Sequence, residues 1–289
     1  MAATVEVTRL DELREAIGAT GRRPGLILTR GFLHPGHLRL AEAARAGGLA
    51  VVVGVFLHAR QFAPGDSPAL YPRDFSGDAE RAREYGVDVL WHIASEDAFP
   101  ANFATEVRLP AIERTLSSVV HPDVLRAQVT TTFRLVNLAG ADAIYFGELD
   151  WYKARCVERT LRDLGNTCAV SVVETARDER GLAYAALNSL LAPDEQGHAS
   201  RIYPCLAEAR RLFSECGERE VARLLGRTSA QLTRIPGFRL QYVHLLDPET
   251  LKERTIAAPG DVLMIGGFFG RTRIADAVRL PLTTAAPSA

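Results

Sequence analysis

The sequence predicts an α/β protein: a parallel sheet with helical crossovers, followed by a smaller α+β domain. Three observations carry that expectation. Short apolar runs alternate with helical stretches through the first half of the chain. The run at 49–57 is apolar on both faces, as a strand inside a parallel sheet requires. After about Gly181 the alternation stops.

Taken in order, Gly-Leu-Ile-Leu-Thr at 25–29 reads as a buried strand, and 37–45 as a helix with its apolar side chains on one face. Residues 49–57 form the second strand, 87–91 the third, 143–146 the fourth and 168–174 the fifth. Parallel strands joined by helices place ligands outside the strands' carboxyl ends. A helical stretch over 200–225 then precedes strand-like runs at 239–246 and 261–265, too little for a second doubly wound sheet. The expected domains are 1–180 and 181–289, with the tail 283–289 frayed.

At 289 residues, 47% hydrophobic and 24% charged, the chain has the composition of a folded protein with a sizeable core. Its net charge of -1 excludes a generally basic nucleic-acid binder. The longest apolar stretch, 49–57, is far below the ~18 residues of a membrane span. The N-terminus lacks a basic start followed by an apolar run, so no secretory signal is expected and the protein reads as cytoplasmic. Neither a nucleic-acid nor a membrane partner is expected. Cys156, Cys168, Cys205 and Cys216 show no CxxC spacing, so they are expected to be buried free thiols, with no metal site. Only two cations are lysines, Lys153 and Lys252. Genome composition explains the scarcity, yet it makes each lysine a position to watch.

The strongest local signal is Thr29-Arg30-Gly31-Phe32-Leu33-His34-Pro35-Gly36-His37, directly after the first strand and opening the first helix. Gly31 and Gly36 allow close approach of a ligand to the backbone. The helix N-terminus is expected to offer unpaired N–H groups and partial positive charge to a phosphate. His34 and His37, three apart, can point the same way and bond phosphate oxygens that gain charge in a transition state. HxGH at a strand-to-helix junction resembles the signature of the nucleotidyltransferase superfamily.

Further segments narrow the resemblance. Residues 51–62, ending His58-Ala59-Arg60-Gln61-Phe62, and Tyr71-Pro72-Arg73 are similar to the pantothenate synthetase run of a hydrophobic strand, Asn-Pro-Thr-Gln-Phe and Tyr-Pro-Arg. Tyr145-Phe146-Gly147-Glu148-Leu149-Asp150 resembles that family's Tyr-Phe-Gly-Glu-Lys-Asp. Matching segments follow at 247–251 and 270–276, so the resemblance runs in order from about 25 to 280. It implies a Rossmann-like nucleotidyltransferase domain, a small C-terminal lid domain and a homodimer. It also implies a ligase that activates a small carboxylic acid with ATP as an acyl-adenylate and passes the acyl group to an amine. ATP use would bring Mg²⁺. Carried over, His34 and His37 are catalytic, and Thr29, Gly36, Gly147 and Asp150 hold the nucleotide. Arg30, His58, Gln61, Tyr71, His121 and Lys153 face the acid substrate.

The departures from the pattern are as informative. The family's lysine in Gly-Glu-Lys-Asp is Leu149, and its Ser-Ser-Arg-Asn loop is Ala185-Ala186-Leu187-Asn188. Two cations are lost on the phosphate side, worth about 3–6 kcal/mol at roughly 1.5–3 kcal/mol per charge-assisted hydrogen bond. On the acid side, Arg30 replaces a methionine, Lys153 a glutamine and His58 an asparagine. The Arg-Pro-Gly-His-Phe segment becomes 121–125, beginning His121-Pro122. Added cations suit an acid with a further anionic group, and so a specialised-metabolism variant of the family reaction. Two alternatives stay open: an ATP-independent transferase, condensing enzyme or hydrolase using His34, His37, His58 and His121, or a non-catalytic ligand-binding protein.

Overall fold

The computed structural model describes residues 3–62 and 68–282 and divides into two compact units, 1–174 and 175–289. The expected frayed tail, 283–289, lies outside the described residues. The division falls six residues before the expected 181, because Arg177 pairs with Ala183 in a β-bridge and with Asp276, both in the second unit.

The first unit runs β1 (Val5–Val7), α1 (Leu10–Ala19), β2 (Pro24–Thr29), α2 (Pro35–Ala46), β3 (Ala50–Val55), α3 (Phe75–Glu84) and β4 (Val89–His92). It continues through α4 (Ser95–Ala98), α5 (Pro110–Thr115), α6 (Pro122–Ala139), β5 (Ala143–Gly147), α7 (Trp151–Asp163) and β6 (Ala169–Val173). All six strands are parallel, in the order β1-β4-β3-β2-β5-β6. The chain builds outward from β2 through β3 and β4, then returns to add β5 on the other side of β2. That reversal opens a crevice at the carboxyl ends of β2 and β5, where ligands of such sheets bind.

Alternate residues of the central strands feed two cores. Leu26, Val52, Trp91 and Ile144 pack against Leu13 of α1, Leu135 of α6 and Val157 of α7. Their neighbours Ile27, Val53, Leu90 and Tyr145 pack against Leu40 and Ala44 of α2 and Ala82 of α3. Helices on both faces are why these strands read as continuous apolar runs. The sequence predicts five of the six strands. β1 is a three-residue edge strand held by Val5–Val7 alone, too short to show a pattern.

The second unit holds α8 (Pro193–Ala199), α9 (Ile202–Ser214), α10 (Val221–Leu232), β7 (Phe238–Leu246), β8 (Val262–Phe269) and β9 (Thr272–Arg279). The strands form an antiparallel meander, giving the expected α+β character. The single helical stretch expected over 200–225 is two helices, because the chain turns at Gly217 with φ 69°. β9 is an additional strand. It escapes the pattern because it buries a charge: Asp276 is 4% exposed and takes both terminal nitrogens of Arg177 at 2.7 Å. The cysteines are all free, but Cys216 is exposed, which corrects the expectation that all four are buried.

Asp276 depends on Arg177. Burial raises its carboxyl pKa while the guanidinium pulls it down. Arg177→Met leaves a buried carboxylate uncompensated and is expected to cost about 3–5 kcal/mol in urea unfolding at pH 7. The loss should shrink at acidic pH as Asp276 takes a proton.

Candidate active site

The chain passes from β2 to α2 through two left-handed residues, Gly31 at φ 98° and Phe32 at φ 60°. Glycine adopts this freely; for Phe32 it costs about 1–2 kcal/mol, so something outside the turn must hold it. Asp78, in the first turn of α3 and 1% exposed, does so. Its Oδ2 accepts the N–H of Phe32 at 2.8 Å and its Oδ1 that of Leu33 at 2.6 Å. Thr29 Oγ1 accepts the N–H of Gly31 at 3.1 Å.

His34 is the N-cap of α2. Its Nδ1 accepts the N–H of Gly36 at 3.2 Å, and Nδ1 of His37 accepts the N–H of His34 at 3.2 Å. The N–H of His37 bonds the His34 carbonyl at 2.8 Å. The helix entrance therefore does not offer the unpaired N–H groups expected from the sequence, because the histidines cap them. A neutral imidazole whose Nδ1 accepts a hydrogen bond carries its proton on Nε2. Both rings, with centroids 4.1 Å apart, thus present Nε2–H as a donor. Burial lowers the His34 pKa to about 4, and burial together with His34 puts His37 well below the usual imidazole range. At neutral pH they are uncharged donors.

Across the crevice, Gly147 ends β5 and a single 3-10 turn, Glu148–Asp150, leads into α7. Lys153, one turn along α7, places Nζ 3.8 Å from Asp150 Oδ2 and 5.4 Å above the Phe146 ring. Arg30 lies over two rings, 4.5 Å from Tyr71 and 5.4 Å from Phe62. Among the described residues no ion pair joins its guanidinium to a carboxylate. Tyr71 is buried, and burial raises its phenol pKa against the pull of Arg30, with Asp150 and Asp78 adding to the rise.

His58 and Gln61 bracket a 3-10 turn, Ala59–Gln61. His58 Nδ1 accepts the N–H of Arg60 at 3.2 Å, while Gln61 Oε1 accepts the N–H of His58 at 3.3 Å. The carbonyl end of Gln61 is thus a local cap, and its amide nitrogen is the end left to reach a substrate. The His58 ring lies 5.1 Å from Phe99, and its pKa is lowered, by burial first and Arg60 second.

The geometry brings Thr29, His34, Gly36 and His37 together at the end of β2. It links Arg30 to Tyr71, Asp150 to Lys153, and His58 to Gln61, with Gly147 opening the turn that carries Asp150. It does not bring in His121. That residue is exposed and caps α6, its Nδ1 accepting the N–H of Asp123 at 3.3 Å, and among the described residues no bond or ring contact joins it to the other candidates. Residues 185–188 lie in the second unit, where Asn188 Nδ2 donates to the Ala183 carbonyl at 2.7 Å. Asp78 was not legible in the sequence; the one signal is an acidic residue soon after Tyr-Pro-Arg.

A parallel sheet with HxGH at the strand-to-helix junction of its switch point defines a Rossmann-like nucleotidyltransferase domain. The model of the family described as pantoate-beta-alanine ligase matches residues 4–279. The pantothenate synthetase of Moorella thermoacetica is 34% identical over 256 residues, covering 89% of this chain and 90% of that protein. That of Thermus thermophilus is 35% identical over 271 residues, covering 93% and 97%. A crystal structure of the Thermus thermophilus synthetase superposes with a TM-score of 0.88 at 33% identity, covering 96% of this chain and 99% of that one. The fold is shared as well by the Francisella tularensis ligase, described as complexed with beta-gamma ATP and beta-alanine, at TM-score 0.77 and 19% identity over 96% and 98%. The chain belongs to the pantoate–β-alanine ligase family, whose members are amide-bond-forming C–N ligases. Among the described residues no helix is long and apolar enough to cross a membrane.

Depressed imidazole pKa values mean that the unfolded chain binds more protons than the folded one. Stability is therefore complete above about pH 6.5 and falls as pH drops from there toward about 4. In thermal melts across that window, His34→Asn, which keeps a cap acceptor but cannot titrate, should flatten the slope.

Proposed function

We propose that the protein joins a small carboxylic acid to an amine in two steps. A carboxylate oxygen of the acid attacks the α-phosphorus of ATP, forming the acyl-adenylate and expelling pyrophosphate. The amine then attacks the acyl carbon, AMP leaves, and the nitrogen loses a proton to give the amide. The observation that carries this reading is the pair of Nε2–H donors on His34 and His37, fixed by backbone caps at the sheet's switch point. Donors held in place ahead of the reaction stabilise developing phosphate charge without rearranging.

Thr29, Gly36, Gly147 and Asp150 line the nucleotide side of the crevice. Arg30, His58, Gln61, Tyr71 and Lys153 line the acid side, and among the described residues no bond or ring contact ties His121 to them. Lys153, four residues after Leu149, holds its ammonium 3.8 Å from Asp150 Oδ2, where the acid and nucleotide sides would meet. Mg²⁺ would enter on the triphosphate, since no cluster of three or more His, Cys, Asp or Glu side chains forms a metal site among the described residues. ATP as co-substrate fits a cytoplasmic enzyme, and family membership favours a homodimer.

The relatives' names specify pantoate and β-alanine. Here the half-buried guanidinium of Arg30, stacked on Tyr71 and Phe62, favours an acid with a second anionic group, a carboxylate or a phosphoryl, and so a reaction outside vitamin synthesis. Leu149, Ala185, Ala186 and Leu187 favour a second reading, in which the site takes an already activated acid and no ATP.

Four measurements test this. Pyrophosphate release from ATP with a panel of acids is expected for an acid bearing a second anion; no release with any acid sinks adenylation and leaves the second reading. Arg30→Met should raise KM for that acid about 10- to 100-fold, from about 1.5–3 kcal/mol for one charge-assisted bond, and leave that for pantoate unchanged. His34→Asn should lower kcat about 100- to 1,000-fold with little change in melting temperature, since the cap acceptor survives. Rescue of a pantothenate auxotroph by the parent protein is expected to fail; success would overturn the altered acid alone.

A further inference from the structure

We infer that Asp78 is the positioning residue of the two imidazoles: from α3 it clamps the turn that sets where His34 and His37 stand. The carboxylate has no close cation to itself. Arg81 Nη1 lies 3.9 Å from Asp78 Oδ1 and turns instead to Asp74 Oδ2 at 3.1 Å. What compensates the buried charge is the pair of N–H groups at 32 and 33, one to each oxygen. Two successive N–H groups in a left-handed turn form a concave nest for an anion, and here the anion is a side chain of the same protein.

The clamp leaves little slack. A Cβ on Gly31 would lie 3.2 Å from Asp78 Oδ2 and 3.6 Å from Val55 Cγ1. Leu33, held at its N–H by Asp78, is 1% exposed and anchored in the core beside Leu40 and Val53. The next N–H in the chain belongs to His34 and bonds the His37 ring. Mechanical continuity therefore runs from the carboxylate through Leu33 and the His34 backbone to both rings. Arg81 lies 5.9 Å from the Phe32 ring but does not bond its backbone, so loss of the clamp would free the turn at φ 60°, uncap the imidazoles and expose them to water.

The test reads the imidazoles directly, in the full-length protein, by NMR titration of the two rings. In Asp78→Asn an amide NH₂ confronts one of the two N–H donors, and both histidines are expected to titrate at least one pH unit higher than in the parent. The sign is diagnostic: removing a nearby negative charge alone would lower the imidazole pKa, so a rise reports release of the turn. A folded Asp78→Asn whose rings titrate as in the parent, or lower, overturns the inference. If that variant does not fold, Gly31→Ala disturbs the same contact from the other side at φ 98°, and the same criteria apply to it. ATP binding by calorimetry is expected to weaken at least tenfold in the variant. This last arm rests on the ligase reading; absence of ATP binding by the parent would sink that reading and leave the titrations to decide the role of Asp78.

Discussion

From Gly31 to His37 every backbone N–H is bonded within the protein, and the site is built on that saturation. Gly31 bonds Thr29, Phe32 and Leu33 bond Asp78, His34 bonds His37, and Gly36 and His37 bond His34. Pro35 has no N–H to satisfy. A glycine-rich strand-to-helix turn is usually read as a cradle of free amides for phosphate. Here the amides hold side chains instead, and the side chains face the ligand. The gain is order: a turn with two left-handed residues would otherwise be loose, and each ring is fixed in tautomer as well as in place.

What the sequence reveals of this follows residue chemistry and local spacing. HxGH after an apolar run specifies the junction, because both histidines and both glycines lie within seven residues and act on one another. Asp78 is 46 residues from Phe32, on a helix that also carries Glu80 and Glu84, and no local pattern says which acid turns inward. The buried ion pair of the second unit is hidden in the same way, its partners Arg177 and Asp276 being 99 residues apart. β9 is hard to read as a strand because its buried position 276 carries a charge that a distant guanidinium neutralises. His121 is a different case. Its motif position suggests a pocket, but a histidine before Pro-Asp at a helix start has a local use, capping α6.

The scarcity of lysine sharpens the comparison of charges. Compositional bias alone would place arginine wherever a cation is needed, and arginine is not what stands at 149. One of the two lysines in the chain stands at 153 instead, its ammonium over the Phe146 ring and beside Asp150. A side chain only 17% exposed with a carboxylate at 3.8 Å is not a solvated surface lysine. Arg30, at the end of the neighbouring strand, is also away from bulk water, and its aromatic shelf supplies attraction without neutralising its charge. Both cations thus stand among the residues proposed to face the acid.

That redistribution bears on how a triphosphate would be handled. Histidines that are neutral when the site is empty contribute hydrogen bonds but no charge, so initial attraction of the nucleotide rests on Lys153. As phosphate oxygens approach Nε2–H the rings donate hydrogen bonds without gaining charge, because Nδ1, the one site for a second proton, already accepts a backbone N–H. On the proposed reaction the two rings would therefore stay neutral as the nucleotide binds and as pyrophosphate leaves. A permanent lysine and arginine hold the leaving group as firmly after the transfer as before it. Neutral imidazoles do not, so a site that has lost fixed cations and kept its histidines trades ground-state affinity for easier release.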